Sequence, residues 1–587
     1  MRRLLRLIVD AWSLSIPFWR GEERWIARGC LAAVISLNLA LVGVAVLLTY
    51  WQRAFYNSLE AKDWQAFIAL LFWWRHTSSD GFVPSFALLA GVTVPITAYA
   101  QYLRQALQIR WRRWATEGYL DAWLADRVYY RMALIDLRTD NSDQRLAEDV
   151  RLYVDGFLTL GVGALRAFVS FCSFVALLWS LSASVSLFHR TIPGSLVWIA
   201  LLYSVVGTGL AHLFGHRLTS LNVIEQKVEA DFRFALMRFR ENCESIAFYR
   251  GEAEERRGFA TRFSGIRDNW HAIMKVTKRL TLFTTGFGQL ALVFPLGIVA
   301  PAYFAGQIPL GAIFQISNAF VQVQGALSWL VDNYAVLTSW LAAVERLQTF
   351  NESVRSARQS GTGPVISVSA QGMSVSNLRV SLPCGADLLR HVELELKGGE
   401  HVLLEGPSGS GKSTLFRALA GLWPFGDGHI CSPAGRQLFI PQRSYLPLGT
   451  LKRAVCYPLY EHELPDAAVT AALHAAGLPY LASRLGDAAE WDACLSGGER
   501  ERLVLARILL VKPDWIFLDE ATAHLDPASE YAFYQTLFEY LPQAGWISIA
   551  HRPQLAPFHD RTIRVLGGRL ETGQSAISGR TDTGPCN

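Results

Sequence analysis

The sequence predicts two unlike halves in tandem: an α-helical membrane domain with six spans, then an α/β domain built around a phosphate-binding loop. Three observations carry this expectation. Hydrophobic residues make up 51% of the 587 and charged residues only 18%, against about a quarter charged in soluble proteins. Uncharged stretches of membrane-spanning length crowd into the part of the chain that ends at Val331. A glycine-rich run ending in Gly411-Lys412-Ser413 stands in the second half.

At this length one hydrophobic core does not suffice. The net charge of +5 is small and argues against nucleic acid as a main partner. Cys30, Cys172, Cys243, Cys384, Cys431, Cys456, Cys494 and Cys586 are scattered, with no CxxC pair. They read as free thiols, without a disulfide framework or a zinc site. The N-terminal MRRLLRLIVDAW meets charge again at Arg20, Glu22, Glu23 and Arg24. That run is too short for a cleavable signal peptide and reads as a basic, aromatic segment lying in the membrane interface.

A span needs roughly 20 apolar residues. Gly29 to Gln52 and Gly81 to Leu103 qualify, as do Ala167 to Phe188 (a span starting near residue 157) and Thr191 to Gly215. Leu280 to Val331 carries no charge and is long enough for two spans, 280–305 and 309–340, joined at Ala305-Gly306-Gln307-Ile308-Pro309. Arginines crowd the connections from Arg104 to Arg166 and from Arg217 to Arg279. Both connections and both termini are therefore expected to be cytoplasmic. The connections are longer than topology requires, which predicts helices that continue beyond the bilayer and dock on the second half. Asp332 closes the last uncharged run, near Gln322, Gln324 and Asn333. These four form a candidate substrate pathway, although Asp332 equally suits a plain helix end. Arg166 reads as a helix-end residue reaching for the interface.

The segment 351–364, NESVRSARQSGTGP, is polar and rich in breakers, which marks a linker between a membrane domain at 1–350 and a soluble domain at 365–570. The polar tail 571–587 reads as disordered. In the soluble domain Gly406, Pro407, Ser408, Gly409, Ser410, Gly411, Lys412, Ser413 and Thr414 match G-x-x-x-x-G-K-[ST], between the strand-like His401–Glu405 and the helical Leu415–Ala420. Such a loop curls its N–H groups around phosphate oxygens at a helix N-terminus. Lys412 is expected to reach the β- and γ-phosphates of ATP, and Ser413 to hold Mg2+. Downstream, Trp515-Ile-Phe-Leu-Asp519-Glu520 suits a buried strand that delivers carboxylates to its tip. Asp519 is assigned to magnesium and Glu520 to polarising the attacking water.

Leu495-Ser496-Gly497-Gly498-Glu499 resembles the signature motif of ATP-binding cassette proteins. Gln442 in Ile440-Pro-Gln-Arg resembles the Q-loop, Leu525-Asp526 the D-loop, and His551 in Ile549-Ala-His-Arg the switch histidine. The resemblance covers the whole cassette. It implies two cassettes facing head to tail, with Ser496, Gly497 and Gly498 of one closing on ATP held by the other. It also implies that Asp526 lies at this ATP site, that His551 meets the γ-phosphate, and that Gln442 links magnesium to the membrane helices. Two departures stand out. The stretch Leu378-Arg-Val-Ser-Leu-Pro383 lacks the aromatic that the family stacks on adenine, and Arg500-Glu501-Arg502 stands where glutamines are commoner. The second is expected to matter little.

Phe55-Tyr-Asn-Ser-Leu-Glu60, Asn141-Ser-Asp143-Gln144-Arg145-Leu-Ala-Glu148-Asp149, Pro301-Ala-Tyr-Phe-Ala-Gly306 and Ser328-Trp-Leu-Val-Asp332-Asn333-Tyr334 resemble SbmA/BacA-type membrane domains. Glu229-Ala-Asp-Phe-Arg233 and Glu244-Ser-Ile-Ala-Phe-Tyr249 are similar to peroxisomal ABCD-subfamily half-transporters. The likeness implies an exporter-type fold and a homodimeric pump in a bacterial inner membrane. Its expected partners are a second copy of the chain, membrane lipid and the transported solute. Hydrophilic solutes such as cobalamin or peptides, by import, are the first expectation, and fatty acyl or lipid compounds the alternative. An ATP-gated channel or sensor is the reading from another class.

Overall fold

The computed structural model describes residues 2–73, 75–77, 81–135, 142–183, 193–359, 363–369, 372–550 and 552–572. The chain forms two compact units, one of Met1–Leu120 with Asn141–Phe350, the other of Asp121–Asp140 with Asn351–Asn587.

The first unit is almost entirely helical. It contains α1 (Arg2–Arg20), α2 (Arg24–Glu60), α3 (Trp64–Phe72), the hairpin β1 (Arg75–Thr77) and β2 (Gly81–Val83), and α4 (Phe86–Leu124), whose last turn passes into the second unit. After α5 (Val128–Ile135), in the second unit, come α6 (Ser142–Gln144), α7 (Val150–Ser182), α8 (Ser195–Glu241), α9 (Cys243–Tyr249), α10 (Glu252–Phe304) and α11 (Leu310–Asp332). The last helix, α12 (Tyr334–Gln359), runs from the first unit into the second.

Among the described residues, α2, α4, α7, α8 and α10 belong to the five helices long and apolar enough to cross a membrane. The sixth expected span falls on α11 and does not join them. Gln315, Asn318, Gln322 and Gln324 dilute its apolar residues, because this helix packs inside the bundle. Its residues Ile316, Ala319 and Val323 are fully buried against α7, α8 and α10.

The segment around Phe55–Glu60 explains how α11 is seated. A helix start leaves N–H groups unpaired. Asn57 Oδ1 accepts from Gly311 N at 2.8 Å, and a Glu60 carboxylate oxygen accepts from Leu310 N at 2.9 Å. Tyr56 stacks on Phe314 with centroids 3.8 Å apart. A Cβ on Gly311 would lie 2.0 Å from the Arg53 carbonyl oxygen, so only glycine allows this approach of α11 to α2.

At the other end, Asp149 is buried and accepts from Arg346 Nε at 2.9 Å and from Arg145 Nη1 at 3.2 Å, which ties α12 to the start of α7. The basic, aromatic α1 is docked too. Tyr153 donates to the Ala11 carbonyl at 2.8 Å, and Phe18 stacks on Trp111 at 5.1 Å.

The second unit holds two sheets. The strands β3 (Val365–Ser369), β4 (Met373–Ser381), β5 (Asp387–Leu396) and β7 (Gly426–Pro433) form a four-stranded sheet in the order β3-β7-β4-β5. The larger sheet contains β6 (His401–Glu405), β8 (Gln437–Ile440), β11 (Trp515–Asp519), β12 (Gly545–Ile549), β13 (Arg561–Leu566) and β14 (Arg569–Thr572), in the order β14-β13-β6-β12-β11-β8. All its pairings are parallel except β13 with β14. The two-residue strands β9 (Gly449–Thr450) and β10 (Ala488–Ala489) pair separately. Around the sheets lie α13 (Lys412–Leu419), α14 (Leu451–Cys456), α15 (Asp466–Ala475), α16 (Trp491–Cys494), α17 (Gly497–Val511) and α18 (Pro527–Tyr540). Helix α13 covers one core with Leu415 and Leu419, and α17 covers a second with Leu503, Ala506 and Ile508.

The residues 121–135, expected within the membrane domain, belong to the cassette unit. Arg127 Nη1 donates to the carbonyl of Ala420, the residue that caps the end of α13, at 2.8 Å. Leu134 packs against the core beneath α13, and burial raises the hydroxyl pKa of Tyr130, with the charge of Arg417 acting in the opposite direction. Arg358 in turn donates to the Ala122 carbonyl at 3.1 Å.

Candidate functional site

In a parallel sheet, loops leaving the carboxyl ends of neighbouring strands gather at one edge. Here Leu404 pairs with Ile549, Ile549 with Asp519, and Ile440 with Leu518. The loops after β6, β12, β11 and β8 are therefore neighbours, and those after β6, β11 and β8 carry 406–411, 520 and 442 respectively.

The loop after β6 is glycine-shaped. Gly406, Gly409 and Gly411 have φ of 155°, 79° and 99°, where a side chain would be strained. A Cβ on Gly411 would also meet the Leu388 side chain at 2.9 Å. Lys412, the first residue of α13, is buried and folds back so that Nζ donates to the carbonyls of Gly406 at 2.7 Å and Pro407 at 3.0 Å. The Ser410 hydroxyl is buried in the same loop with no hydrogen-bond partner among the described residues. A cation, an unsatisfied hydroxyl and a helix N-terminus in one glycine cradle fit a polyphosphate.

Two side-chain pairs close the edge. Ser413 Oγ donates to Asp519 Oδ1 at 2.9 Å, which joins hydroxyl and carboxylate oxygens as a hard cation requires. Burial pushes the Asp519 carboxyl up from its ordinary pKa, and the Ser413 hydrogen bond opposes that. Gln442 Nε2 donates to Glu520 Oε2 at 2.7 Å. Glu520 itself has φ 49°, a left-handed conformation rare for a side chain of this kind, and its N–H donates to the Ile549 carbonyl at 3.1 Å. Such backbone costs of order 1–3 kcal/mol and collects at functional sites. His551 lies outside the described residues.

The signature residues occupy a helix start of their own. Ser496 caps α17 through a capping box with Glu499, worth about 1 kcal/mol. Tyr480 and Ser496 both donate to Glu499, which holds its carboxyl down at about 2. A Cβ on Gly497 would lie 3.1 Å from the ring of His524, and one on Gly498 would lie 3.5 Å from Leu525. Asp526 caps α18 by accepting from Ala528 N and Ser529 N, each at 3.1 Å.

Sequence reasoning missed two braces behind these groups. Glu501, expected to matter little, is buried and accepts from His524 N at 3.0 Å and from His524 Nδ1 at 2.7 Å, linking the signature helix to the loop after β11. Arg552 donates to the Leu525 carbonyl at 2.9 Å and to buried Glu530 at 3.0 Å. The first was visible only as an acid where glutamine is common, and the second left no signal.

In the first unit, Gln322 and Asn333 line a cavity of about 650 Å³ between α2, α4, α7 and α11. Gln324 and Asp332 are not part of its wall, and Asp332 closes α11 at an exposed position. Arg166 is not a helix-end residue. It sits midway along α7 and lines the cavity, as does Arg104. The uncharged run beginning at Ala167 made Arg166 resemble a span boundary, although a span starting near residue 157 already enclosed it.

The ABC transporter transmembrane region 2 family matches residues 15–304, and the ABC transporter family matches 389–523. The inner membrane ABC transporter ATP-binding protein YddA of Escherichia coli is 31% identical over 94% of this chain and 96% of its own. The chloroplastic ABC transporter D family member 2 of Arabidopsis thaliana is 31% identical over 94% of this chain and 85% of its own. The lysosomal cobalamin transporter ABCD4 of Mus musculus is 26% identical over 96% of this chain and 95% of its own. A bacterial Atm1-family ABC exporter with ATP bound superposes with a TM-score of 0.72 at 17% identity, over 94% of this chain and 96% of that one, so the fold is the exporter type. The chain belongs to the ABC transporter family, as a membrane-embedded half-transporter whose fused cassette binds ATP and couples its hydrolysis to transport, related to the D subfamily.

Proposed function

We propose that two copies of this chain form a homodimeric pump of a bacterial inner membrane, with both termini cytoplasmic, that imports a hydrophilic solute such as cobalamin or a peptide. The observation that carries the catalytic part is the Gln442–Glu520 hydrogen bond beside the Ser413–Asp519 pair, at the edge that also holds Lys412. Gly406 to Thr414 seat the phosphates, and Lys412 neutralises their charge. Ser413, Gln442 and Asp519 hold Mg2+, which supplies charge neutralisation at the phosphates. Glu520 orients and polarises the attacking water, while His551 meets the γ-phosphate. Ser496, Gly497, Gly498 and Asp526 of the partner copy complete the site. One chain carries both a phosphate loop and a signature, which supports two like copies over two unlike ones.

The inner-membrane name of one relative supports the location. The cobalamin transporter among the relatives, together with the likeness to SbmA/BacA-type domains, supports the hydrophilic solutes. The D-family relatives also support a second reading, export or translocation of fatty acyl or lipid compounds. Proteoliposomes with cassettes outward test the first. ATP-dependent loss of preloaded labelled cobalamin or proline-rich peptide, abolished by Glu520→Gln, is expected. ATP-dependent accumulation instead overturns import. Sustained hydrolysis with no solute moved, acyl and lipid compounds included, overturns the pump in favour of a gate or sensor.

A further inference from the structure

We infer that the cavity of the membrane unit binds an organic anion, a carboxylate or phosphate carried on an apolar body, through Arg104 and Arg166. The inference rests on the transporter reading and names the solute class its cavity suits. At about 650 Å³ the space falls within the range of small-molecule sites, about 300–1,000 Å³. Among the described residues that line it, two are cationic and none is acidic.

Arg166 stands in the middle of a membrane-length helix, about 24 Å from either end at 1.5 Å per residue. Within a membrane span a charge is costly unless it faces a polar cavity or a partner, and Arg166 faces the cavity. Arg104 reaches the same space from α4. Its Nη1 donates to Thr159 at 3.2 Å, Asp155 lies 3.9 Å from Nη2, and its Nε is buried without a partner among the described residues. Asp155 offsets one of the two charges from outside the wall, so the cavity keeps a positive balance. A guanidinium fork suits the paired oxygens of a carboxylate or phosphate.

The opposite chemistry is close by. The indole of Trp329 lines the cavity against Gly163, where a Cβ would stand 2.8 Å from the ring. An apolar body can lie there while Gln322 and Asn333 meet its polar substituents.

The test uses the full-length protein in phosphatidylcholine nanodiscs without ATP, titrated with dansylglycine, dansyl-phosphoethanolamine and neutral dansylglycinamide. Both anions are expected to bind at least tenfold more tightly than the amide. Arg166→Gln is expected to erase that preference while amide binding stays, and Arg166→Lys to restore part of it. Arg104→Gln, made in parallel, reports on the same preference should Arg166→Gln fail to fold. Phosphatidylglycerol nanodiscs separate the sources: competition with the dansyl anions assigns the site to a lipid headgroup, and its absence to a soluble anion. Equal binding of amide and anions, or an unchanged preference in both glutamine variants, overturns the inference. Because binding is read without ATP, loss of the charge preference with ATP-driven flux intact defeats this inference alone. Flux failure with the preference intact defeats the pump alone.

Discussion

Ser413 and Asp519 meet across 106 residues of sequence and Gln442 and Glu520 across 78, while Asp149 and Arg346 meet across 197. Gln442 and Glu520 lie two residues and one residue beyond the ends of parallel strands, Asp519 ends its strand, and Ser413 opens the helix behind the phosphate loop, so strand order and one short loop deliver them to one edge. The membrane-unit pair joins the start of one helix to the middle of another, and only the packing of the bundle decides that they touch. Strand ends therefore make a site that sequence can announce, and helix faces make one that must be folded to be seen. The two units also bury charge differently. The cassette keeps histidines neutral in its core, whereas the membrane unit buries a carboxylate held by two guanidinium groups.

Acid should break the two units unequally, and this is the largest stability effect expected. His559 is 4% exposed, and burial lowers its pKa from 6.5 to about 4. His401, stacked on Trp546 and facing His559 and Asp560, is lowered in the same direction by burial. Between pH 6.5 and 4 the unfolded chain takes up a proton that folded His559 refuses. Stability is therefore complete above about 6.5 and falls as pH drops toward 4, by on the order of 3 kcal/mol. Limited proteolysis of the full-length protein across this range should show cassette fragments first. His559→Gln should flatten the dependence. Simultaneous cleavage of both units would remove the proposed contrast.

Asp149→Ala tests the membrane unit. Breaking a buried ion pair costs about 3–5 kcal/mol, but Arg346 is 36% exposed and regains water, so about 2 kcal/mol is expected. Thermal unfolding in detergent should show the loss, and Arg346→Ala added to it should cost less than the sum of the two single changes. Additive losses would mean that the two side chains do not stabilise one another.

Much of the cassette was legible because its chemistry sits in short, ordered words: the phosphate loop, the Asp519-Glu520 strand tip, Gln442. The Phe55–Glu60 segment was legible only as a likeness; its meaning, the capping of α11 by Asn57 and Glu60, needed the fold. Helix α11 is less apolar than the other five because a helix inside a bundle can carry four amides that lipid would penalise. Arg104 and Arg166 were hidden for a related reason. A charge beside an apolar run marks a span boundary in sequence, yet the same charge can face a cavity deep inside a longer helix.

Glu501→Gln gives the smallest expected effect and the sharpest view of bracing within the cassette. Glu501 accepts from the His524 main chain through both carboxylate oxygens, at 3.0 Å each, and from His524 Nδ1 through one of them. A glutamine keeps one acceptor oxygen for that N–H and turns the other position into a donor, so the loop stays satisfied with one contact fewer. A neutral hydrogen bond nets about 0.5–1.5 kcal/mol, and an isosteric exchange that retains part of the set should cost less than about 1 kcal/mol. Hydrolysis should fall by no more than about fivefold, which that energy permits. The pairing of thermal unfolding with ATP turnover checks both. A loss of turnover beyond a hundredfold at unchanged stability would move Glu501 from a brace behind the signature helix into the catalytic machinery itself. The acid in place of the commoner glutamine would then be a functional departure of this chain.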